Sequence, residues 1–294
     1  MVKQRHLMQR LLGWLIVAGG MAVLLNEAWR GWADQADPRV MNALLGGGMA
    51  ALATALGTVP VLVSRTIPAR VHDSLLGFGA GMMLAACSFS LIVPGLESAR
   101  SQGAGAWGSA FTIGTGIALG AAVMMALEHW LPHEHFIKGV EGGPNAEAIK
   151  RTWLFVFAIA LHNVPEGLAI GVAFGNQSTV GAGALATGIS IQDVPEGLVV
   201  ALALLGIGYS RITAVALGAA SGLVEPLGAV IGASVVTVST ALLPWGLAFA
   251  AGAMLFVISH EIIPESHRKG HERFATSGLI VGFVLMMVLD TALG

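Results

Sequence analysis

Two heptapeptides carry the residues with chemical potential. His162-Asn-Val-Pro-Glu-Gly-Leu168 and Gln192-Asp-Val-Pro-Glu-Gly-Leu198 agree at five of seven positions, and both lie inside apolar runs. A further acid, Glu225, sits in a third such run. An acid at the centre of a membrane helix costs about 2.5 to 3.5 kcal/mol, so Glu166, Asp193, Glu196 and Glu225 together cost on the order of 10 kcal/mol. Something must compensate. Each helical residue turns by about 100°. With His162 at 0°, Asn163 falls at about 100° and Glu166 at about 40° between them. Gln192, Asp193 and Glu196 repeat that pattern. Each glutamate is thus flanked by two other candidate ligands on one face and can bridge two cations. The four acids sum to −4 when ionised, and two divalent ions supply +4. Imidazole with carboxylate and amide oxygens suits Zn²⁺, Fe²⁺ or Mn²⁺ better than Mg²⁺ or Ca²⁺. A polar network that only fastens helices together is the competing reading. It fits poorly, because several of the four acids would then have to stay protonated beside a single imidazole.

The elements that position these groups follow from length and hydropathy. The chain has 294 residues, 55% hydrophobic and 11% charged, with 40 glycines. Soluble domains carry about 25% charged residues. Small residues let membrane helices approach closely. Runs of membrane-spanning length predict eight helices, over 40–64, 74–96, 104–127, 152–174, 180–204, 212–236, 243–263 and 274–292. A shorter run at 11–26 predicts an extra N-terminal helix; a cleaved signal peptide competes with it, but no small-residue cleavage site follows. Pro165 and Pro195 sit within the motifs and Pro226 beside Glu225. Each removes an N–H donor and frees a carbonyl four residues back, which is tolerated where a helix lines a cavity.

The second motif repeats the first on an adjacent antiparallel helix. A fainter repeat pairs Phe78, Gly81, Met83, Ser88 and Ile92 with Phe249, Gly252, Met254, Ser259 and Ile263, all at one constant shift. Chance among Gly, Ala and Leu is the alternative. Inverted repeats mark transporters whose site lies near the midplane. Of the 15 Lys and Arg, all but Arg30, Arg39 and Arg100 fall on one side of a nine-helix arrangement. Positive charge favours the cytoplasm, so the N-terminus is expected inside and the C-terminus outside. The loop 128–151 is then cytoplasmic. Its His129, His133 and His135 read most simply as solvated, and otherwise as weak metal capture near an exit.

Other polar residues are weaker candidates. Met83 offers a thioether, though methionine is more often filler. Ser90, Glu97 and Asp290 lie toward the outer side, and Asp73, Glu128, His260 and Glu261 toward the cytoplasmic side. Each is an interfacial polar residue by default, and together they can mark an entrance and an exit. Net charge −2 offers no basic surface for nucleic acid. The lone Cys87 forms no intrachain disulfide. No phosphate-binding G-x-x-x-x-G-K-[ST] loop is present and no H-E-x-x-H, so neither ATP coupling nor a metalloprotease is indicated. An intramembrane metalloenzyme and a metal sensor are the rivals to a transporter.

The paired H-N-x-P-E-G and Q-D-x-P-E-G motifs, with S-x-x-E-P over 221–226 and S-H-E-x-x-P over 259–264, resemble the Zrt/Irt-like (ZIP) family of metal transporters, in its compact bacterial branch. The likeness covers residues 40–294, a ZIP-like transport domain preceded by an N-terminal segment, 1–39, with an extra helix and an outer loop. It implies an all-α polytopic fold of eight helices in a 3+2+3 inverted repeat, and a homodimer in the cell membrane. It implies no enzyme activity and no organic cofactor. Zn²⁺ is the expected substrate, with Cd²⁺, Fe²⁺ and Mn²⁺ as others, imported by alternating access through a binuclear site. The resemblance gives one metal Met83, His162, Glu166, Gln192 and Glu196, and the other Asn163, Glu166, Asp193, Glu196 and Glu225. Many relatives carry a histidine where Gln192 and Asp193 stand, so the departures bear on metal preference.

The charge bias generates a direct prediction. In a Cys87→Ala background, a single cysteine at Gln102 or Ser178 reacts with an impermeant thiol reagent from outside, and one at Gly142 does not. The reverse pattern overturns the assigned orientation.

Overall fold

In the computed structural model the described residues are 37–64, 67–130, 160, 162–175 and 179–293. Among them every regular element is helical, and seven helices are long and apolar enough to cross a membrane. In chain order these are α1 (Pro38–Leu62), α2 (Ala69–Ser101), α3 (Ala106–Trp130), α5 (Thr179–Gly206), α6 (Arg211–Val238), α7 (Thr240–His267) and α8 (Glu272–Leu293). The first central helix, α4, is helical over 162–175. The earlier part of its expected span lies outside the described residues, as do the N-terminal run at 11–26 and the loop from 131 onward. The protein is therefore a polytopic all-α membrane protein. Its outward faces agree: Leu45, Leu52 and Leu56 on α1 and Ile280, Val281 and Val284 on α8 are exposed, as lipid-facing positions must be.

Helices α2 and α7 run further than hydropathy suggested, reaching Arg70 and His72 at one end of α2 and His267 at the end of α7. Hydropathy ends a span at its first charges, whereas a helix satisfies its own backbone bonds well past that point. Both helices also carry a π turn, Ala86–Ile92 in α2 and Ile258–Ile262 in α7. Each ends two residues before a proline, Pro94 or Pro264, whose missing N–H already interrupts the α-helical ladder. Each also holds a serine bonded to the carbonyl four residues back, Ser88 to Leu84 (2.9 Å) and Ser259 to Leu255 (2.7 Å). These two serines are partners in the faint repeat, which is thus expressed as a shared local distortion.

Glycine contacts show the repeat in the packing. A Cβ on Gly81 would meet the carbonyl oxygen of Leu279, and one on Gly252 that of Ile117. Likewise Gly282 abuts the Phe78 carbonyl and Gly120 the Phe249 carbonyl. The α2–α8 seam is thus copied in the α7–α3 seam. The central helices follow the same rule. Gly197 abuts the Thr54 carbonyl of α1, and Gly167 the Glu225 carbonyl of α6. Gly57 of α1 abuts Val194 of α5, and a Cβ on Gly228 of α6 would lie 3.1 Å from the Val164 carbonyl of α4. Every partner in one pair has its counterpart in the other at a fixed offset. One offset relates α1 to α6, and it is the offset of the faint repeat; a second, shorter one relates α4 to α5 and is that of the paired motifs. Successive spans alternate in direction, so an offset of five spans makes the repeat inverted.

These seams set a four-helix body apart from two helix pairs around it. Backbone-to-backbone contacts bind α1, α4, α5 and α6 to one another, and bind α2 to α8 and α3 to α7. Across the division the tight glycine contacts are with side chains: Gly188 of α5 meets the Met286 thioether of α8, and Gly246 of α7 meets the Val172 methyls of α4. Packing on flexible methionine yields more readily than packing on a carbonyl.

An added methyl separates the two situations. Gly81→Ala and Gly252→Ala each cost about 1 to 3 kcal/mol through overpacking and lower the apparent Tm in detergent by several degrees. Gly79→Ala, which meets nothing within 4 Å, leaves it unchanged or raises it, since helical glycine is disfavoured by about 1 kcal/mol against alanine.

Candidate metal centre

Helices α4, α5 and α6 deliver the acids. The first two pass their motifs as continuous helix, with Pro195 inside α5. Helix α6 is broken: Arg211–Ser221 gives way to a turn at Gly222–Leu223, and the helix restarts at Val224. Pro226 opens this helix as expected: it sits in the new first turn, and the carbonyl four residues back that its missing N–H cannot bond belongs to Gly222, where the break falls. Glu225 consequently stands at a helix N-terminus, where the unpaired amides favour negative charge. Such half-helices recur at ion sites in transporters.

The acids converge without donors. One ligand oxygen from each of Glu166, Asp193 and Glu196 lies within 4.8 Å of the others. Glu166, Asp193 and Glu225 are 0–1% exposed. Among the described residues, nothing donates to Oε2 of Glu166, to either oxygen of Asp193, to Oε1 of Glu196, to Oε2 of Glu225 or to Oδ1 of Asn163. Buried oxygens with no donor are rare and costly. The remaining oxygens are held in place. Gln192 Nε2 donates to Glu166 Oε1. Glu225 Oε1 accepts from Thr54 Oγ1 (3.0 Å) and from Asn163 Nδ2 (3.1 Å), and that same nitrogen reaches the Ser221 carbonyl (3.1 Å). Each amide therefore orients its neighbour with its NH₂ group, and Asn163 keeps its carbonyl oxygen for another partner. Such an arrangement can hold a cation.

His162 lies at the edge of the cluster, 3% exposed. Its Nε2 is 2.8 Å from Glu261 Oε2, an ion-pair distance but not an aligned hydrogen bond. Glu261, expected near a cytoplasmic exit, thus reaches the central site from the π turn of α7. Met83 is buried in the core of α2 at 1% exposure.

The outlying candidates are dispersed. Ser90 Oγ donates to Asp290 Oδ1 at 2.5 Å, tying α2 to α8. Asp73 is fully buried and accepts from His72 Nδ1 (3.1 Å) and His271 Nδ1 (2.9 Å). His260 is exposed and its ring stacks on Phe256 at 5.1 Å. Glu97 is exposed on the last turns of α2, away from the cluster. Glu128 lies in the helical end of α3, and its side chain, like His129, His133 and His135, is outside the described set.

Thr54, the Ser221 carbonyl and the imidazoles around Asp73 were missed in the sequence. A signal for Thr54 existed, because it stands to Glu225 at the same offset that relates the two halves. Nothing in sequence pointed to the Ser221 carbonyl, which depends on where α6 breaks.

Comparison with known proteins identifies the family. The family model described as ZIP Zinc transporter matches residues 133–290. The zinc transporter ZIPB of Bordetella bronchiseptica is 50% identical over 280 residues, covering 95% of this chain and 88% of that protein. Zinc transporter GufA of Myxococcus xanthus is 46% identical over 246 residues, 84% and 96% of the two chains. Human zinc transporter ZIP11 is 34% identical over an alignment of 340 positions, 88% and 99%. With its paired motifs, mirrored helix seams and buried acids, the chain belongs to the ZIP zinc-transporter family.

Proposed function

We propose that the protein is a secondary transporter carrying Zn²⁺, and by the same ligand chemistry Cd²⁺, Fe²⁺ and Mn²⁺, into the cytoplasm. The observation that carries this reading is the set of donorless buried oxygens shared among α4, α5 and α6. A network serving only structure would pair those lone pairs with donors. A divalent cargo satisfies them instead. Two ions fit the donor set better than one. Glu166 and Glu196 flank both halves as bridges. His162 and Gln192, with Met83 from α2, complete one ion's shell. Asn163, Asp193 and Glu225 complete the other.

The way the helices are bound supports alternating access. The acids ride on α4, α5 and α6, which the glycine seams lock to α1. The moving unit is thus four helices, not the central pair alone. It works against α2, α3, α7 and α8, which meet it through side chains. Two polar contacts mark the ends of the path: the Ser90–Asp290 bond and the Glu261 carboxylate beside His162. With an outside C-terminus, the first belongs to the entrance and the second to the exit. Glu261 then competes with a departing ion for His162 and eases its release.

Glu166→Ala and Glu196→Ala should each abolish zinc uptake by proteoliposomes while membrane insertion stays intact. Glu225→Gln separates the sites: metal bound per chain falls from two to one by elemental analysis, because Glu225 touches only the second ion. Robust uptake by either bridge variant sinks the binuclear reading. A further variant addresses selectivity. His162→Asp replaces the only central imidazole by a harder oxygen ligand, so competition for uptake shifts from zinc toward manganese. An unchanged preference removes His162 from the ligand shell.

A further inference from the structure

Away from the metal centre, α2 and α8 leave an apolar groove beside their glycine seam. Its volume is about 340 Å³, at the low end of the ~300–1,000 Å³ typical of ligand clefts. Val71, Phe78, Phe274 and Val281 line it, with Ser74 and Ser277. The two serines do not make it polar. Ser74 Oγ donates to the Arg70 carbonyl (2.8 Å) and Ser277 Oγ to the Arg273 carbonyl (2.7 Å). Both hydroxyls are thereby spent on their own helices, and the wall presented outward is hydrocarbon. Val71, Phe274 and Val281 are 41–59% exposed, which a bundle in lipid allows and an aqueous surface would not.

One helical turn from each serine, toward the same end of the bundle, stands an exposed arginine. Arg70 lies in the first turn of α2 and Arg273 in the first turn of α8. Neither forms an ion pair among the described residues. Nearby acids are mostly spoken for: Asp73 is buried between His72 and His271, and Glu265 pairs with Arg268. Exposed Glu272 opposes Arg70, Lys269 and Arg273, so the rim stays positive. An apolar groove capped by two arginines at the level where helices leave the hydrocarbon has the chemistry of one molecule, a lipid. Basic pockets between membrane helices bind anionic headgroups in this way.

We propose that the α2–α8 groove binds one anionic phospholipid, an acyl chain lying along Val71, Phe78, Phe274 and Val281 and the phosphate held by Arg70 and Arg273. The site is independent of the transport reading and uses none of the metal ligands. It lies at the interface at which both α2 and α8 begin, whichever leaflet that is.

Native mass spectrometry of the delipidated full chain, titrated separately with phosphatidylglycerol and phosphatidylcholine, tests it. One phosphatidylglycerol is retained per chain, in preference to phosphatidylcholine by about 25-fold, since each basic residue near an anionic surface contributes roughly five-fold. Arg70→Gln with Arg273→Gln erases the preference but leaves phosphatidylcholine binding as it was. Val281→Trp fills the groove and loses both lipids, with an unchanged apparent Tm in detergent showing that the exposed site tolerates the ring. Equal retention of the two lipids by the unaltered chain overturns the proposal. So does a Val281→Trp chain that keeps its lipid but falls from dimer to monomer, which would make the groove a face between two copies.

Discussion

Four carboxylates crowd the interior of an apolar bundle, and most of their oxygens receive no hydrogen bond. Nearly every other feature follows from the need to make that tolerable. The acids come within reach of one another, which requires three helices to meet with little between them. Bulky side chains would hold the helices apart. The chain therefore places glycine wherever a neighbouring backbone must approach, at Gly167 against Glu225 and at Gly197 against Thr54. Those two contacts lie next to the clustered acids in sequence: Gly167 follows Glu166 and Gly197 follows Glu196. The same tetrapeptide, Pro-Glu-Gly-Leu, thus supplies the buried acid, the close approach and the interrupted ladder.

The inverted repeat explains how the helices divide between an acid-bearing unit and those around it. Each half provides one helix to the acid-bearing unit, α1 or α6, and two to the surrounding one. The symmetry is nearly complete in the seams and broken at the polar positions. Thr54 occupies on α1 the place that Glu225 holds on α6, and the two are now hydrogen-bonded. Ser90 occupies on α2 the place of Glu261 on α7, in equivalent π turns. One half has kept neutral hydroxyls where the other has acids. A structurally symmetric protein thereby gains chemically different ends, with a serine–carboxylate contact at one and a carboxylate beside an imidazole at the other.

Much of this was legible in residues 162–168 and 192–198. Helical geometry alone placed each glutamate between two polar neighbours on one face, and the paired motifs pointed to the buried cluster of acids. Seven of the expected spans were equally plain, because membrane helices announce themselves by length. What could not be read was anything set by the third dimension. Pro226 signalled an opening of α6 around Gly222, four residues back, but not that the break would set the Ser221 carbonyl against Asn163. Asp73, Glu97 and Glu261 looked alike as polar residues near span ends. One is buried between imidazoles, one faces outward, and one touches the central histidine. The faint repeat was nearly lost among common small residues, and only its carbonyl partners distinguish it from chance.

The glycine seams also constrain how such a chain can vary. In an ordinary core, a side chain that grows can be offset by a partner that shrinks, and the two positions record one another's changes. Here the partner atom is a main-chain carbonyl, which every residue type carries in the same place. Gly81 against Leu279, or Gly120 against Phe249, can therefore never be rescued by substitution opposite. The tightest contacts in the molecule leave no correlated variation between sequence positions. Methods that infer proximity from paired substitutions would be blind at the seams and best informed across the looser boundary, where Met286 or Val172 can answer a change with one of its own.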